Sequence, residues 1–505
     1  MTIDEDHGKR GHVTVTTLQG PAWSVQGLDI AAGRYPLAVE RHVMRMADLL
    51  VPGVTTVTPH ARYYALHTLI ADEAASHELE EDQTRQLLRR AEVALAAVSW
   101  AHDHGDVGLP RAHGVDALSS RLRSGGVDVA TAAQPGKDGY VRNSWGFWFP
   151  YFASEVALGI LDAKGMPTPG EACDGAAVRD GLGDLLELAG RAELIVDDLQ
   201  SYAHLCVCAG GGAADGRWLA RLFCGTADAD PRSPGGARRE TIRLITRVMQ
   251  THPISNPTAD VGPVVAFGDF ITADEIAGSL AVTAAWRGVV LRNYSVGAWR
   301  RLWSWLVGQV TGLTPAATVA DLFADALPDT TVQAFLDGLP PTQAAPGALA
   351  PAELQLRHSD LPLPLRELSV LAVNSHRAHE LDGHVLDAFL GDRRGVDLAP
   401  EWTARRLADA ASGSLRDFAR RLTVDLLARA QRVALGKARR RPDGSLWLPT
   451  RLHERGELLY KTSDEGRGDV GLRLDQLTTV LAGAGVLTRV DDQWKVTAAG
   501  EALLG

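Results

Sequence analysis

Cysteine is scarce: Cys173, Cys206, Cys208 and Cys224 are the four in a chain of 505 residues. So few cannot form a disulfide framework for a chain this long, which implies reduced thiols. Lysine is also rare, 6 of the 51 basic residues, and with the abundance of alanine and glycine this points to a GC-rich bacterial genome. In such a background an arginine is weak evidence that its fork geometry was needed. No stretch approaches the ~20 uninterrupted apolar residues that span a bilayer. The first ten residues, MTIDEDHGKR, are charged and lack the apolar run of ~7–15 residues of an export signal. The expectation is a soluble, cytoplasmic protein with no membrane contact.

Familiar catalytic patterns are missing as well. There is no Gly-x-x-x-x-Gly-Lys-Ser/Thr, so Asp197-Asp198 is not half of an ATPase pair. There is no Gly-x-Ser-x-Gly elbow, and no carboxylate series closing in Glu-x-Lys. Three clusters come near to metal chemistry. His102-Asp-His104-Gly-Asp106 has the His-x-His-x-Asp spacing of metallo-β-lactamase-like hydrolases, in which imidazoles and a carboxylate hold a water-activating metal, but a helix leads into it where a strand should. His376, His379 and His384 approximate a zinc helix, yet five residues is ~500° of helix, so His379 and His384 diverge by about 140°. Only His376 and His379 could share an ion. His204-x-Cys206-x-Cys208, with Cys224, supplies soft ligands, but its spacing and apolar neighbours favour buried free thiols. No cofactor and no metal is expected.

What is present is helical periodicity. Leu87, Leu88, Ala91, Leu95 and Val98 share one face of a helix over 84–100. Trp299, Leu302, Trp303, Leu306 and Val310 do so over 297–311, with Arg300 and Arg301 on the other side. Leu415, Phe418, Leu422, Leu426, Ala430 and Val433 do so over 414–437, where Ser414 and Asp417 form a capping-box start. Strand-like alternation is confined to the last thirty residues. The fold class is mainly α and multidomain with a small α+β end, since 505 residues exceed the roughly 250–300 of a single core. The expected order is a flexible leader (1–20), helical domains at 21–230 and 238–338, an uncharged four-proline linker (339–351), a helical region with a basic helix (352–440) and a terminal domain (441–505).

The terminal pattern is the most specific. Leu474, Leu477 and Leu481 share a helical face, Gly485 stops the helix, and 486–490 and 493–497 read as strands joined at Asp491-Asp492. This succession resembles a winged helix-turn-helix domain, although the stretch 454–471, where its first two helices belong, contains a loop-like SDEGRG. The resemblance implies that Arg473, Gln476 and Thr479 face bases while Arg489 and Lys495 face phosphate. Charge leans the same way. The net charge is −11, but residues 401–461 carry 14 Lys/Arg against 7 Asp/Glu, a local +7 that leaves −18 on the other 444. Within it Arg429, Arg432, Lys437, Arg439, Arg440 and Arg441 occur with no acidic residue between them, as a phosphate-binding stretch would.

Near the other end, Val51-Pro-Gly-Val-Thr-Thr-Val-Thr-Pro-His-Ala-Arg-Tyr-Tyr64 reads as a loop and a helix start, with Thr58 as cap and Pro59 in the first turn. Arg62, Tyr63 and Tyr64 either form a ligand or partner site or pack the start of this helix, Arg62 capping a carbonyl or carboxylate. With Trp145-Gly-Phe-Trp-Phe-Pro-Tyr151 and Ser154-Glu155, this stretch resembles a group of large bacterial proteins whose genes often lie in antiviral defence clusters. The expectation is a non-catalytic DNA-associated component of a multi-protein system, contacting DNA through 401–505 and partner proteins through its acidic helical body. The alternatives are a metal-dependent hydrolase or nuclease using a histidine cluster, and an adaptor whose winged helix binds protein.

Overall fold

Helical periodicity becomes helix along most of the chain: about 60% is helical, with 24 α-helices among the described residues, and the strands there are short and lie in small sheets. The computed structural model describes residues 36–102, 108–137, 139–163, 165–345, 348–391 and 398–505. The expected leader at 1–20 lies outside the described residues. No helix among those described is long and apolar enough to cross a membrane.

Helix α1 (Ala61–Ser76) is central, with every residue from Ala61 to Ala71 buried. It starts later than Thr58-Pro59 implies, because the Thr58 hydroxyl accepts from the Thr55 amide at 2.9 Å and closes the preceding loop. Helix α2 (Glu81–Ala101) opens with a capping box between Glu80 and Gln83. The helices α3 (Trp148–Leu158), α4 (Ala214–Cys224) and α5 (Pro257–Ala266) follow. Helix α6 (Val282–Gly308) runs through the core and is buried nearly all round. Its arginines therefore do not form a solvent face. Arg287 donates to the carbonyls of Val265 and Gly268, Arg300 is buried, and Arg301 pairs with Glu367 at 2.9 Å and with Asp469. At Gly288 a Cβ would come within 2.5 Å of the Val385 carbonyl oxygen, so a glycine is what lets helix 383–390 lie against α6.

Helices α7 (Leu363–Glu380) and α8 (Leu415–Gly436) come next, and the Ser414 hydroxyl caps α8 by accepting from the Asp417 amide at 3.4 Å. Past α8 the chain forms two hairpins, β1 (Arg439–Arg440) with β2 (Leu446–Trp447) and β3 (Leu452–Arg455) with β4 (Leu458–Lys461). Thr314–Pro315 adds a third strand beside β4. Helix α9 (Leu474–Gly483) leads to β5 (Leu487–Val490) and β6 (Gln493–Val496), paired in register from Leu487–Val496 to Val490–Gln493. Asp491 and Asp492 both have positive φ, as a two-residue type I′ turn requires. No helix lies between α8 and α9, so the stretch before α9 does not contribute the two upstream helices of a winged helix-turn-helix.

One apolar cluster extends from Leu37 to Leu504. The 339–351 stretch, expected as a linker, carries a short hairpin of 343–345 with 348–349. Arg377 holds it to α7 by donating to the carbonyls of Thr342 at 2.6 Å and Ala350 at 2.7 Å while pairing with the fully buried Glu353 at 2.8 Å. Removing one partner of a buried ion pair leaves the other charge uncompensated. Arg377→Ala is therefore expected to cost about 3–5 kcal/mol in denaturant-induced unfolding. Arg406→Ala, which breaks a solvent-exposed pair with Asp425, should change stability little.

Candidate functional site

The two N-terminal stretches singled out in the sequence meet in the core. His67 on α1 is fully buried between two carboxylates, with Nδ1 2.5 Å from Glu155 Oε1 and Nε2 3.4 Å from Glu92 Oε1. Glu92, from α2, also accepts from the Phe147 amide at 2.9 Å and from the Tyr140 hydroxyl. The Tyr151 hydroxyl accepts from the His60 amide at 3.2 Å, and Tyr63 stacks on Tyr151 with centroids 5.7 Å apart. Burial opposes protonation of His67, but Glu155 and Glu92 outweigh it and raise the imidazole pKa to about 9. The ring is thus an imidazolium at neutral pH. Burial pushes the Glu155 carboxyl up against the pull of His67, and it drives His113 down to about 4, helped by the His67 charge.

Arg62, Tyr63 and Tyr64 belong to this enclosed region and are fully buried. Arg62 donates to the carbonyls of His204 at 2.5 Å and Cys206 at 3.1 Å and pairs with the buried Asp215 at 3.3 Å. Tyr63 and Tyr64 donate to the carbonyls of His113 and Gly53. These side chains are buried and engage carbonyls and a carboxylate of their own chain.

The proposed metal clusters fare differently. His376 and His379 are exposed on α7. His104 and Asp106 lie outside the described residues. His204 turns to Asp184, with Nε2 3.0 Å from the carboxylate. Cys173 and Cys224 have thiols pushed up to about 11 by burial. Among the described residues the one group of ligand-type side chains close enough to share an ion is His102, Cys206 and Cys208. Sequence spacing could not reveal it, because His102 stands about a hundred positions before the cysteines.

The basic stretch and the terminal module divide into an outward and an inward set. Arg429 is buried and donates to the Leu37 carbonyl at 3.0 Å. Arg473 is half-buried, donating to the Val54 carbonyl at 2.8 Å and pairing with Asp48. Both are thus engaged with the body of the chain. Gln476 and Thr479 are half-buried on α9, which packs against α1 and α5. Arg489 is half-buried, lies over the Trp494 ring and pairs with Asp492 at 3.2 Å. Burial lowers the pKa of Lys437, which Glu40 opposes. Arg432 is exposed on α8, and Lys495 is exposed with its ammonium on Gln493.

Arg439, Arg440 and Arg441 are the outward set, exposed on a hairpin where a helical region with a basic helix (352–440) was expected. Opposite them are Leu446 and Trp447, 60% and 40% exposed. Behind Trp447 lies a cavity of about 540 Å³ lined by Trp303, Arg300, Arg451 and Glu465 among others. Burial raises the Glu465 pKa there against the pull of Arg451. Comparison with known proteins returns no match to a family model, a curated protein or a solved structure.

The enclosed imidazolium has a measurable consequence. Its folded pKa of about 9 exceeds the ordinary 6.5, so its stabilising contribution is complete below pH ~6.5 and is lost as pH rises through ~9. A shift of that size corresponds to on the order of 3 kcal/mol. His67→Gln is expected to be less stable than the wild type at pH 7, and the gap between their urea midpoints should close by about pH 9.5. A gap that stays constant over that range contradicts a charged His67.

Proposed function

We propose that this protein is a non-catalytic, DNA-associated component of an intracellular bacterial multi-protein system of antiviral defence. DNA is contacted through the β1–β2 hairpin, and the acidic helical body serves partner proteins. The observation that carries this reading is the exposure of Arg439, Arg440 and Arg441 on one hairpin beside an exposed tryptophan. Three guanidinium groups there suit phosphate oxygens. Trp447 and the cavity behind it suit a base at an unpaired or distorted position, since stacking on an aromatic side chain is tolerant of sequence. Arg432 and Lys495 extend the cationic surface. The winged-helix-like unit of α9, β5 and β6 takes a secondary role in that contact. With Arg473 engaged in the body and Gln476 and Thr479 half-buried, the hairpin and not α9 is the principal contact.

Binding of fluorescently labelled duplex and single-stranded DNA to the full chain, followed by anisotropy over a series of salt concentrations, tests the assignment. Affinity should fall steeply with salt, and changing Arg439, Arg440 and Arg441 together to Ser should reduce the log–log slope by about 3. Trp447→Ala should weaken single-strand binding more than duplex binding. Unaltered affinity and slope in the triple variant overturn the hairpin assignment. No binding by the wild type, together with a stable co-purifying protein, supports the adaptor reading instead.

A further inference from the structure

Helix α2 ends at Ala101, and His102, its C-cap residue, leaves the helix with extended backbone. Its ring nitrogen Nδ1 lies 3.4 Å from Cys208 Sγ, which is 3.2 Å from Cys206 Sγ. The turn that presents the two sulfurs is tightly held. The Cys206 carbonyl accepts from the Ala209 amide at 2.9 Å and from Arg62, and the Val207 amide donates to the buried Ser99 hydroxyl at 3.2 Å. Residues 206 and 208 therefore point their sulfurs to one side, towards the end of α2.

We propose that His102, Cys206 and Cys208 form a binding site for a soft divalent cation, zinc in the first instance. A tetrahedral zinc ion with Zn–S of about 2.3 Å and Zn–N of about 2.0 Å holds its sulfurs about 3.7 Å apart and a sulfur and nitrogen about 3.5 Å apart. The sulfur–nitrogen separation of 3.4 Å matches that arrangement, the sulfurs at 3.2 Å would move apart by about half an ångström to take the ion, and all three ligand atoms lie within 4.8 Å of one another. Two thiolates and an imidazole select zinc over the hard cations. The two protons released from the thiols balance the charge of the ion, so the site is neutral once loaded. Arg62 and Asp215, a neutral pair beside it, leave that balance undisturbed. Cys206 is buried, whereas Cys208 and His102 are half-exposed, which leaves the fourth tetrahedral position open to water. The ion would fasten the end of α2 to the 206–209 turn, a role separate from DNA contact at the hairpin.

The full chain, freed of metal by a chelator under reducing conditions, should take up one Zn(II) in competition with a chromophoric chelator. Co(II) as a probe should give thiolate-to-metal charge-transfer absorption and the intense visible bands of a tetrahedral site. Cys208→Ser, at the half-exposed position where folding is least at risk, should abolish the charge-transfer band or weaken binding well beyond tenfold. His102→Ala should weaken it by at least about tenfold, since loss of even an outer-shell partner costs about 10–100-fold. Cys173→Ser, Cys224→Ser and His376→Ala should bind like the wild type. Zinc should also raise the melting temperature of the wild type but not of Cys208→Ser. Absence of Zn(II) and Co(II) binding by the wild type, or binding unchanged in both Cys208→Ser and His102→Ala, overturns the proposal. The triple arginine variant of the hairpin should retain the metal, so failure of the DNA reading leaves this test intact.

Discussion

Each α-helix leaves its last four carbonyls without an intrahelical donor, and a chain built from many short helices has many such ends to satisfy away from water. Here arginine supplies donors to several of these ends and to loop carbonyls beside them. Arg62 reaches the carbonyls of residues 204 and 206, Arg89 those of Ala133 and Ser144, and Arg238 those of Leu222 and Phe223. Arg239 takes those of Cys224, Leu503 and Leu504, and Arg377 those of Thr342 and Ala350. A guanidinium carries five N–H donors in a plane and keeps its charge when desolvated, so one side chain can tie two loops to a helix. Lysine, a single ammonium on a flexible stem, serves less well. The scarcity of lysine, read from sequence as a genomic bias, coincides with a structural use for its replacement.

This internal use of arginine explains where charge counting succeeds and where it fails. The excess of basic residues over 401–461 is real, but Arg429 serves the interior, and so does Arg473 just beyond, while Arg439–Arg441 stand outside. Sequence position alone cannot separate these sets, because the carbonyl that absorbs Arg429 belongs to Leu37, 392 positions away. Arg300, on the side of its helix opposite the periodic apolar set, is buried for a related reason. A 27-residue helix buried nearly all round has no polar side to which periodicity could assign it.

Features governed by near neighbours were legible. The capping of α8 by Ser414, the extent of α2 within three residues, and the β5–β6 hairpin with its Asp491-Asp492 turn all follow from contacts within a few positions. The stretches 51–64 and 145–155 were recognised as distinctive, but their common purpose was not. They enclose His67 between Glu92 and Glu155, and neither His67 nor Glu92 belongs to a recognisable pattern. The His102–Cys206–Cys208 group escaped for the same reason, since the nearer candidate His204 faces Asp184.

The link between Arg473 and the Val54 carbonyl spans 419 positions, and α1 packs against α9 over a comparable distance. During synthesis at roughly 5–20 residues per second, the loop before α1 waits about 20–80 s for its partner to leave the ribosome. For that interval the apolar flank of α1 lacks its cover. Completion of this part of the core therefore waits on residues made more than four hundred positions later.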